Sequence, residues 1–285
     1  MTDENITRPV TTNVTGRVAV VTGAASGIGA AIAHALSERG ASIVILVDRD
    51  GARAERVAAE LPGAAQAIAI DATDSETVRE AIGTITTAHG PIGLWCGNAG
   101  VVAGNGLGDD SDWHLSWKLH VESHLTAIRE LVPAMSASGG GTFVFTASAA
   151  GLLTSLESAP YAVSKHGTVA LAEWCSIAYA DQGIRVHCLC PQAVRTPMTD
   201  GDNRTLAVAG ALLEPAAVAD CLLDAIDEGR FLVLPHPEVA EYEQRRTRDR
   251  DRWLSGMAHL RRKLNAGGHS HPAPLNSAVA GERET

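Results

Sequence analysis

The chain has few aromatic residues, no long hydrophobic run and no excess of basic residues. Phe, Trp and Tyr make up 4% of the 285 residues, which disfavours an aromatic-rich β-sandwich and favours helices packed closely on a sheet. No stretch approaches the roughly 20 consecutive apolar residues that a membrane helix needs. The 23 Lys and Arg against 33 Asp and Glu give a net charge of −10, whereas nucleic-acid-binding proteins usually present a basic surface. The composition therefore argues against membrane and nucleic-acid partners.

The cysteines are few, odd in number and set among apolar neighbours: Cys96, Cys175, Cys188, Cys190 and Cys221. Cys188 and Cys190 are too close together for the usual spacing of metal ligands. We therefore expect buried, reduced thiols and no metal site, which favours a reducing cytoplasmic location. The polar, acidic N-terminus has neither the basic lead nor the apolar core of a signal peptide, in agreement with that expectation.

Short apolar runs alternate with longer helical patterns along most of the chain. Near-continuous apolar runs are typical of parallel strands covered on both faces, and this alternation predicts a doubly wound α/β fold with right-handed crossovers. The predicted strands are 17–22, 41–47, 65–70, 92–96, 142–147, 184–189 and 231–234, and the predicted helices are 28–39, 50–60, 74–88, 111–136, 160–181 and 215–228. We expect about seven strands in three α/β/α layers.

Both ends of the chain differ from this pattern. Residues 1–15 are predicted to be a flexible lead, 16–235 one domain, 236–265 a helical extension and 266–285 a disordered tail. Residues 236–264 hold seven arginines and one lysine among acids, with apolar residues at helical spacing. This pattern predicts an amphipathic helix packed on the body or on a partner subunit. Two alternatives are a cover for the mouth of the site and, more weakly, a nucleic-acid-binding helix.

The first predicted strand leads directly into TGAASGIG, which contains Gly23, Gly27 and Gly29. Glycines permit unusual backbone angles and let a pyrophosphate approach the main chain, and the helix N-terminus that follows offers free N–H groups. The spacing G-xxx-G-x-G differs from the common G-x-G-xx-G, and a tight strand-to-helix turn also uses such glycines. Its place after the first strand favours a dinucleotide site.

Acidic residues end the next two strands. Asp48 can accept both hydroxyls of an adenosine ribose and would repel a 2′-phosphate, which favours NAD over NADP. Arg49 is adjacent and keeps NADP as an alternative. Asp71 either contacts the ligand at the same sheet edge or, like Asp74, caps the following helix. The fourth strand leads into GNAG at 97–100, a small-residue loop at that edge.

Three polar residues follow the fifth strand in a pattern suited to proton transfer. Tyr161 and Lys165 are four residues apart and share one helix face. A tyrosine near its ordinary pKa of about 10 is a weak base at neutral pH, and an adjacent ammonium lowers that pKa. Ser148, 13 residues before the tyrosine, is placed to donate a hydrogen bond to a substrate oxygen.

The motifs TGAASGIG, DATD, GNAG, Ser148 and YAVSK resemble, in order and spacing, those of the short-chain dehydrogenase/reductase family over about residues 16–235. The resemblance implies a Rossmann-type single domain, usually a homodimer or homotetramer, that moves hydride between nicotinamide and a carbinol carbon. It implies that Tyr161 is the acid/base, that Ser148 positions the substrate oxygen, and that Lys165 lowers the tyrosine pKa and binds the nicotinamide ribose. Asp71 is expected near the adenine. The expected cofactor contacts are Gly23, Ser26, Gly27, Ile28, Gly29, Asp48, Arg49, Asp71, Ala72, Asn98, Ala99, Gly100, Tyr161, Lys165, Pro191, Val194 and Thr196.

Two positions depart from the family pattern. His120 stands where the family has an asparagine whose carbonyl holds a water leading to the lysine, and its imidazole is a candidate proton relay unless it only packs. Gln192 replaces a glycine in the cofactor-side loop. His114 and His124 are expected on the helix surface without a role.

These features predict an NAD-dependent dehydrogenase or reductase for a hydrophobic secondary alcohol or ketone. The expected pocket residues are Val101, Leu152, Leu153 and Met198, with Arg195 as a nearby cation for an acidic substrate. The alternative is a catalytically silent nucleotide sensor or scaffold on the same fold. A nucleotide-sugar epimerase would need a larger substrate domain after the last strand.

Overall fold

Seven parallel strands form one sheet in the order β3-β2-β1-β4-β5-β6-β7. The computed structural model describes residues 14–199 and 212–266, so the predicted lead and tail fall almost entirely outside the described residues. The strands are β1 Val18–Thr22, β2 Ile43–Asp48, β3 Ala65–Ala69, β4 Ile92–Gly97, β5 Gly141–Thr146, β6 Ile184–Leu189 and β7 Leu232–Val233. All seven lie within one residue of the predicted runs or inside them. The doubly wound prediction is confirmed.

Helices cover both faces of this sheet, which is why its strands are apolar on both sides. One face carries α1 and α2 together with α8, and the other carries α3, α5 and α7. The helices are α1 Gly27–Glu38, α2 Gly51–Glu60, α3 Ser75–His89, α4 Asp110–Trp117, α5 Ser123–Ala137, α6 Ala150–Leu153, α7 Ala159–Ala178, α8 Pro215–Glu228, α9 Glu238–Arg248 and α10 Arg250–Ala266. The short helix α6 was not predicted.

The predicted helix over 111–136 is continuous but not uniform. Helices α4 and α5 are joined by a π-helical segment, Lys118–Glu122, which contains His120. Such segments insert an extra residue into a helical turn and re-aim the side chains they hold, often at functional sites. His120 is fully buried here, between the sheet and α7.

The arginine-rich extension forms two helices where one was predicted. Asp249 interrupts the helical pattern because its backbone is extended (φ −148°, ψ 92°), and its carboxylate accepts the N–H of Arg252 at 3.0 Å as a cap for α10. Val239 of α9 and Trp253 and Leu260 of α10 are buried in the apolar layer on the α7 side of the sheet. The extension thus packs on the body through its apolar stripe.

The strand order reverses between β1 and β4. Strands β2 and β3 are added on one side of β1, and strands β4 to β7 are added on the other side. In such sheets the crevice outside the carboxyl ends at this reversal is where ligands bind. The segments after β1, β2, β4, β5 and β6 all begin at this edge.

The five cysteines are free, and all but the partly buried Cys221 are buried. Within residues 14–199 and 212–266 no helix is long and apolar enough to cross a membrane. The same residues contain no group of three or more His, Cys, Asp or Glu placed to hold a metal ion.

Candidate active site

The glycine loop after β1 is shaped so that side chains would not fit. Gly23 has φ +66°, and a Cβ on it would lie 2.8 Å from the Cα of Ala99. A Cβ on Gly29 would collide with the carbonyl oxygen of Gly23 and lie 2.6 Å from Nδ2 of Asn98. The loop therefore requires glycine at both positions, and it brings the start of α1 against the segment after β4.

The start of α1 leaves its first backbone N–H groups without intrahelical partners. Ser26 caps the helix in an extended conformation and makes no capping bond through its side chain, and Gly27 and Ile28 are partly exposed beside it. Free N–H groups and the positive end of the helix dipole suit a pyrophosphate. The loop and helix start fit the dinucleotide that the sequence predicted.

Asp48 lies at the end of β2 and faces the glycine loop. Its carboxylate accepts the N–H of Ala25 at 3.0 Å and the N–H of Asp50 at 3.0 Å. A carboxylate offers about four acceptor positions, so these two bonds orient Asp48 and leave it able to accept ribose hydroxyls. The neighbouring Arg49 is exposed.

Of the two roles that the sequence left open, the capping of α3 belongs to Asp74. Asp74 caps α3 by accepting the N–H of Glu76 at 3.0 Å. Asp71 instead accepts both the N–H and the hydroxyl of Thr73 at 2.8 Å, and these bonds hold the pKa of its carboxyl below the ordinary value. Asp71 is thus an exposed anion at the sheet edge next to the partly buried Ala72.

Thr22, at the end of β1, binds the segment after β4 through hydrogen bonds, and the sequence did not lead us to predict this role. Thr22 accepts the N–H of Asn98 at 2.9 Å and the N–H of Ala99 at 3.1 Å through its hydroxyl. The amide of Asn98 donates to the carbonyl of Thr22 at 3.1 Å. Asn98 therefore holds the glycine loop in place. The sequence signal that could have indicated this role is a threonine at the end of a buried strand.

The segment after β6 reaches over the glycine loop. A Cβ on Gly27, which has φ +56°, would lie 2.9 Å from Cγ2 of Thr196. Val194 is buried and bridges to Leu213, while the carbonyl of Pro191 accepts the N–H of Ala149 at 2.9 Å. Thr196 thus lies against the glycine loop, and Pro191 lies beside the segment after β5.

Ser148, Tyr161 and Lys165 come together at the ends of β5 and α7. The hydroxyl of Ser148 lies close enough to the phenol of Tyr161 to act on the pKa of that phenol. Nζ of Lys165 lies 5.7 Å from the centroid of the Tyr161 ring and donates to the carbonyl of Thr146 at 2.8 Å. Ser158 caps α7 by accepting the N–H of Tyr161 at 3.2 Å, which fixes the start of this helix.

The sequence predicts that Lys165 lowers the pKa of Tyr161, whereas in the structure this pKa is raised. Burial raises this pKa above its ordinary value, and the hydrogen bond with Ser148 acts in the opposite direction. Burial also lowers the pKa of Lys165 to about 8. Without a bound cofactor Tyr161 is therefore a protonated phenol at neutral pH, which is the acid form needed to protonate a ketone oxygen.

His120 links the segment after β4 to α7 through hydrogen bonds. Nε2 accepts the N–H of Val101 at 3.2 Å, so Nδ1 carries the hydrogen and donates to the hydroxyl of Ser164 at 2.8 Å. Its ring meets the Tyr161 ring edge to face, with centroids 5.6 Å apart. The carbonyl of His120 accepts the Thr168 hydroxyl at 2.8 Å. Both nitrogens are thus engaged in hydrogen bonds that position α7.

The protonation state of His120 also bears on the predicted relay. Burial, followed by the positive charge of Lys165, holds the pKa of His120 far below its usual range. A neutral imidazole whose lone pair is bonded to a backbone N–H has no free site for a passing proton. Gly100 separates the two side chains, since a Cβ on it would lie 3.4 Å from Nε2 of His120 and 3.5 Å from Nζ of Lys165.

Several expectations about neighbouring residues were wrong. His124 is 2% exposed rather than on the surface, packs against Phe145, and has its pKa lowered to about 3 by burial. Leu152 and Leu153 belong to the apolar core, not to a pocket. Arg195 pairs with Glu214 at 2.6 Å, and both side chains are 61% exposed, so its role toward an acidic substrate stays a prediction. His114 is exposed as predicted.

Gln192, the second departure from the family pattern, anchors its loop to the segment after β7. Its N–H donates to Nδ1 of the buried His236 at 3.2 Å. Its side-chain Oε1 is buried and has no hydrogen-bond partner among the described residues.

Known proteins match this chain along most of its length. A cis-4-hydroxycyclohexanecarboxylate dehydrogenase from Sinomonas cyclohexanicum is 33% identical over 232 residues, 76% of this chain and 92% of that protein. A cyclohexanol dehydrogenase from Acinetobacter sp. (strain SE19) is 33% identical over 218 residues, 71% of this chain and 84% of that protein.

Solved structures agree with the sequence matches. A short chain dehydrogenase/reductase from Burkholderia phymatum, solved with NAD, has a TM-score of 0.77 at 27% identity, covering 84% of this chain and 95% of that one. Similar structures include complexes with NAD, NADH and NADPH, so the likeness leaves the choice of dinucleotide open. The sequence model of the short chain dehydrogenase family matches residues 17–207. With these matches and the crevice described above, the chain belongs to the short chain dehydrogenase family.

Proposed function

We propose that this protein is an NAD-dependent oxidoreductase that interconverts a hydrophobic secondary alcohol and its ketone. The observation that carries the proposal is the convergence of Ser148, Tyr161 and Lys165 beside a glycine loop at the carboxyl edge of the sheet. The nicotinamide, when bound, supplies the hydride donor or acceptor. The names of the two relatives, which describe dehydrogenases of cyclic secondary alcohols, support this substrate class.

Ser148, Tyr161 and Lys165 have different roles in the proposed proton transfer. Ser148 is partly exposed at the end of β5 and holds the substrate oxygen through its hydroxyl. Tyr161 gives its phenolic proton to that oxygen in reduction and takes it back in oxidation. Lys165, held against the Thr146 carbonyl, places a positive charge beside the ring that favours the phenolate after transfer.

The proposal is tested by following NADH absorbance across a panel of cyclic and acyclic secondary alcohols and ketones. Turnover of at least one hydrophobic member supports it. If NADH binds but no member of a broad panel is turned over, a catalytically silent nucleotide sensor replaces the enzyme. The crevice, with an intact Ser148 and Tyr161, favours the enzyme.

The position of Asp48 leads to a prediction about the dinucleotide. We expect NADH to bind at least about tenfold more tightly than NADPH, because a 2′-phosphate would face the carboxylate. Asp48→Asn keeps an oxygen acceptor for the Ala25 N–H and removes the charge, so it should bind NADPH more tightly than the wild type does. Fluorescence titration measures both affinities. Equal wild-type affinities for the two dinucleotides would defeat the argument from Asp48.

The exposed face of α7 supports a homodimer or homotetramer. In the C-terminal half of this helix Trp174 is 58% exposed and Ile177 81% exposed, and Trp117 of α4 lies beside the helix at 43%. Contiguous exposed apolar surface of this kind marks protein interfaces. The five free thiols favour a reducing, cytoplasmic location for the assembly.

A single charge on that face is expected to dissociate the assembly. Ile177→Asp places a carboxylate in the proposed contact and should shift the protein to monomer in analytical ultracentrifugation, with unchanged circular dichroism. Thr84→Asp, at an exposed position of α3, is the matched control and should leave the assembly intact. A wild-type monomer at micromolar concentration would contradict the proposed interface.

A further inference from the structure

A cavity that is separate from the crevice at the sheet edge lies beside α7. It has a volume of about 660 Å³, opens to solvent, and is lined by loops after β4 and α6, by α7, and by α10 of the C-terminal extension. This volume suits a small organic ligand. Ser148, Tyr161 and Lys165 do not line it. The lining includes Ala162 and His166, each one residue beyond a catalytic residue and therefore rotated by about 100° around α7.

Most of the wall is apolar, and the charge is concentrated at one side. Leu107, Leu156 and Val163 line the cavity from three different elements. Arg261 of α10 also lines it and forms none of the ion pairs found among the described residues. The cavity thus offers apolar surface together with one guanidinium.

A second guanidinium lies behind the cavity wall. Arg246 of α9 is partly buried and donates to Nε2 of His166 at 3.3 Å, while Nδ1 of His166 donates to the carbonyl of Ala162 at 2.9 Å. Arg246 also forms no ion pair within residues 14–199 and 212–266. Burial and the charge of Arg250 lower its pKa, and Glu243 offsets this in part. An anion in the cavity would relieve this accumulation of positive charge.

The wall also contains a strained residue. Thr154, at the end of α6, has φ 84° and ψ 155°, a region that non-glycine residues seldom occupy. The facing loop is pinned by backbone bonds from Gly106 N–H to the Glu157 carbonyl at 2.6 Å and from Ala159 N–H to the Gly106 carbonyl at 2.8 Å. Backbone hydrogen bonds thus join the two loops that line the cavity.

We propose that this cavity binds a small organic carboxylate, with its apolar body against Leu107, Leu156 and Val163 and its carboxylate at Arg261. A carboxylate accepts two parallel hydrogen bonds from one guanidinium, so the single arginine of the lining is enough to hold it. The positive charge of Arg246, one layer behind His166, adds to the attraction. The site goes beyond the proposed dehydrogenase activity and does not depend on it.

The test measures binding of cyclohexanecarboxylate by calorimetry to Tyr161→Phe protein without dinucleotide, so that neither turnover nor cofactor enters the readout. Cyclohexanecarboxamide is the neutral control ligand. We expect the carboxylate to bind and the amide to bind at least about tenfold more weakly. Arg261→Gln should weaken carboxylate binding by at least about tenfold, and Arg246→Gln by a smaller factor. Arg262→Gln, which changes an exposed neighbour outside the lining, should leave it unchanged.

Absence of carboxylate binding, or binding that Arg261→Gln leaves unchanged, would overturn the proposal. Two arms identify the source of the carboxylate. If Arg261→Gln raises KM for a hydroxy acid and not for the matching neutral alcohol, the carboxylate is the substrate's own. If cyclohexanecarboxylate still binds in the presence of saturating neutral substrate, the ligand is separate from the substrate. Both results support the site, and both are independent of which dinucleotide the enzyme uses.

Discussion

Tyr161→Phe is expected to reduce turnover by about 10²- to 10⁴-fold while leaving the fold and dinucleotide binding intact, because the change removes only the hydroxyl that we propose transfers the proton. The ring keeps its contact with His120, and the cap of α7 involves the backbone N–H of residue 161, not its side chain. Steady-state rates with the best substrate of the panel measure the effect.

The control for this substitution is a second tyrosine on the same helical segment. Tyr179 follows α7, is partly buried and packs edge to face on Trp174. Tyr179→Phe loses the same atom far from the crevice and should keep wild-type turnover. A Tyr161→Phe enzyme that retained more than about a tenth of the wild-type rate would remove Tyr161 from the proton-transfer step.

The raised pKa of Tyr161 gives the reaction a direction-dependent response to pH. Reduction uses the protonated phenol, which is the form present at neutral pH in the free protein. Oxidation needs the phenolate, whose fraction rises with pH. We therefore expect alcohol oxidation to accelerate as pH increases above neutrality and ketone reduction to slow, both measured by NADH absorbance.

The sheet and its ligand-binding edge could be predicted from sequence because periodicity and strand ends report on them directly. Seven apolar runs became seven parallel strands, and the glycines of TGAASGIG came to lie where a Cβ would clash. Ser148 and Tyr161 were predicted to lie together from their spacing and their place after the fifth strand, and the two side chains are neighbours in the structure. These features depend on local backbone geometry and on which strand each residue follows.

Side-chain environments that depend on contacts between distant segments could not be predicted. His124 was expected on a helix surface, yet it fills the space beside Gly97, a position without a side chain. The cavity at Arg261 forms because α10 lies near α7. No spacing of residues in the sequence indicates that these two helices are neighbours. The break at Asp249 was also missed, because an aspartate both interrupts one helix and caps the next.

His120→Ala is expected to reduce the free energy of unfolding by about 3 kcal/mol, since it leaves a cavity at a fully buried position and deprives the part-buried N–H of Val101 of its acceptor. His120→Asn retains a side-chain oxygen and should lose less. We also expect turnover to fall in His120→Ala because Tyr161 loses its neighbour. Chemical denaturation and steady-state kinetics measure the two effects.

The pH dependence separates a positioning role for His120 from a proton relay. The folded-state pKa lies below the unfolded value of about 6.5, so only the unfolded chain binds a proton as pH falls below 6.5. Burying this residue therefore lowers stability by about 1.4 kcal/mol for each pH unit below about 6.5, and His120→Asn removes that loss. Relative to the wild type, His120→Asn should gain about 2 kcal/mol between pH 7.5 and pH 5. The pH profile of turnover should keep its shape in both variants, because a neutral imidazole does not titrate in the working range. Loss of one limb of that profile in His120→Asn would instead identify His120 as a proton carrier.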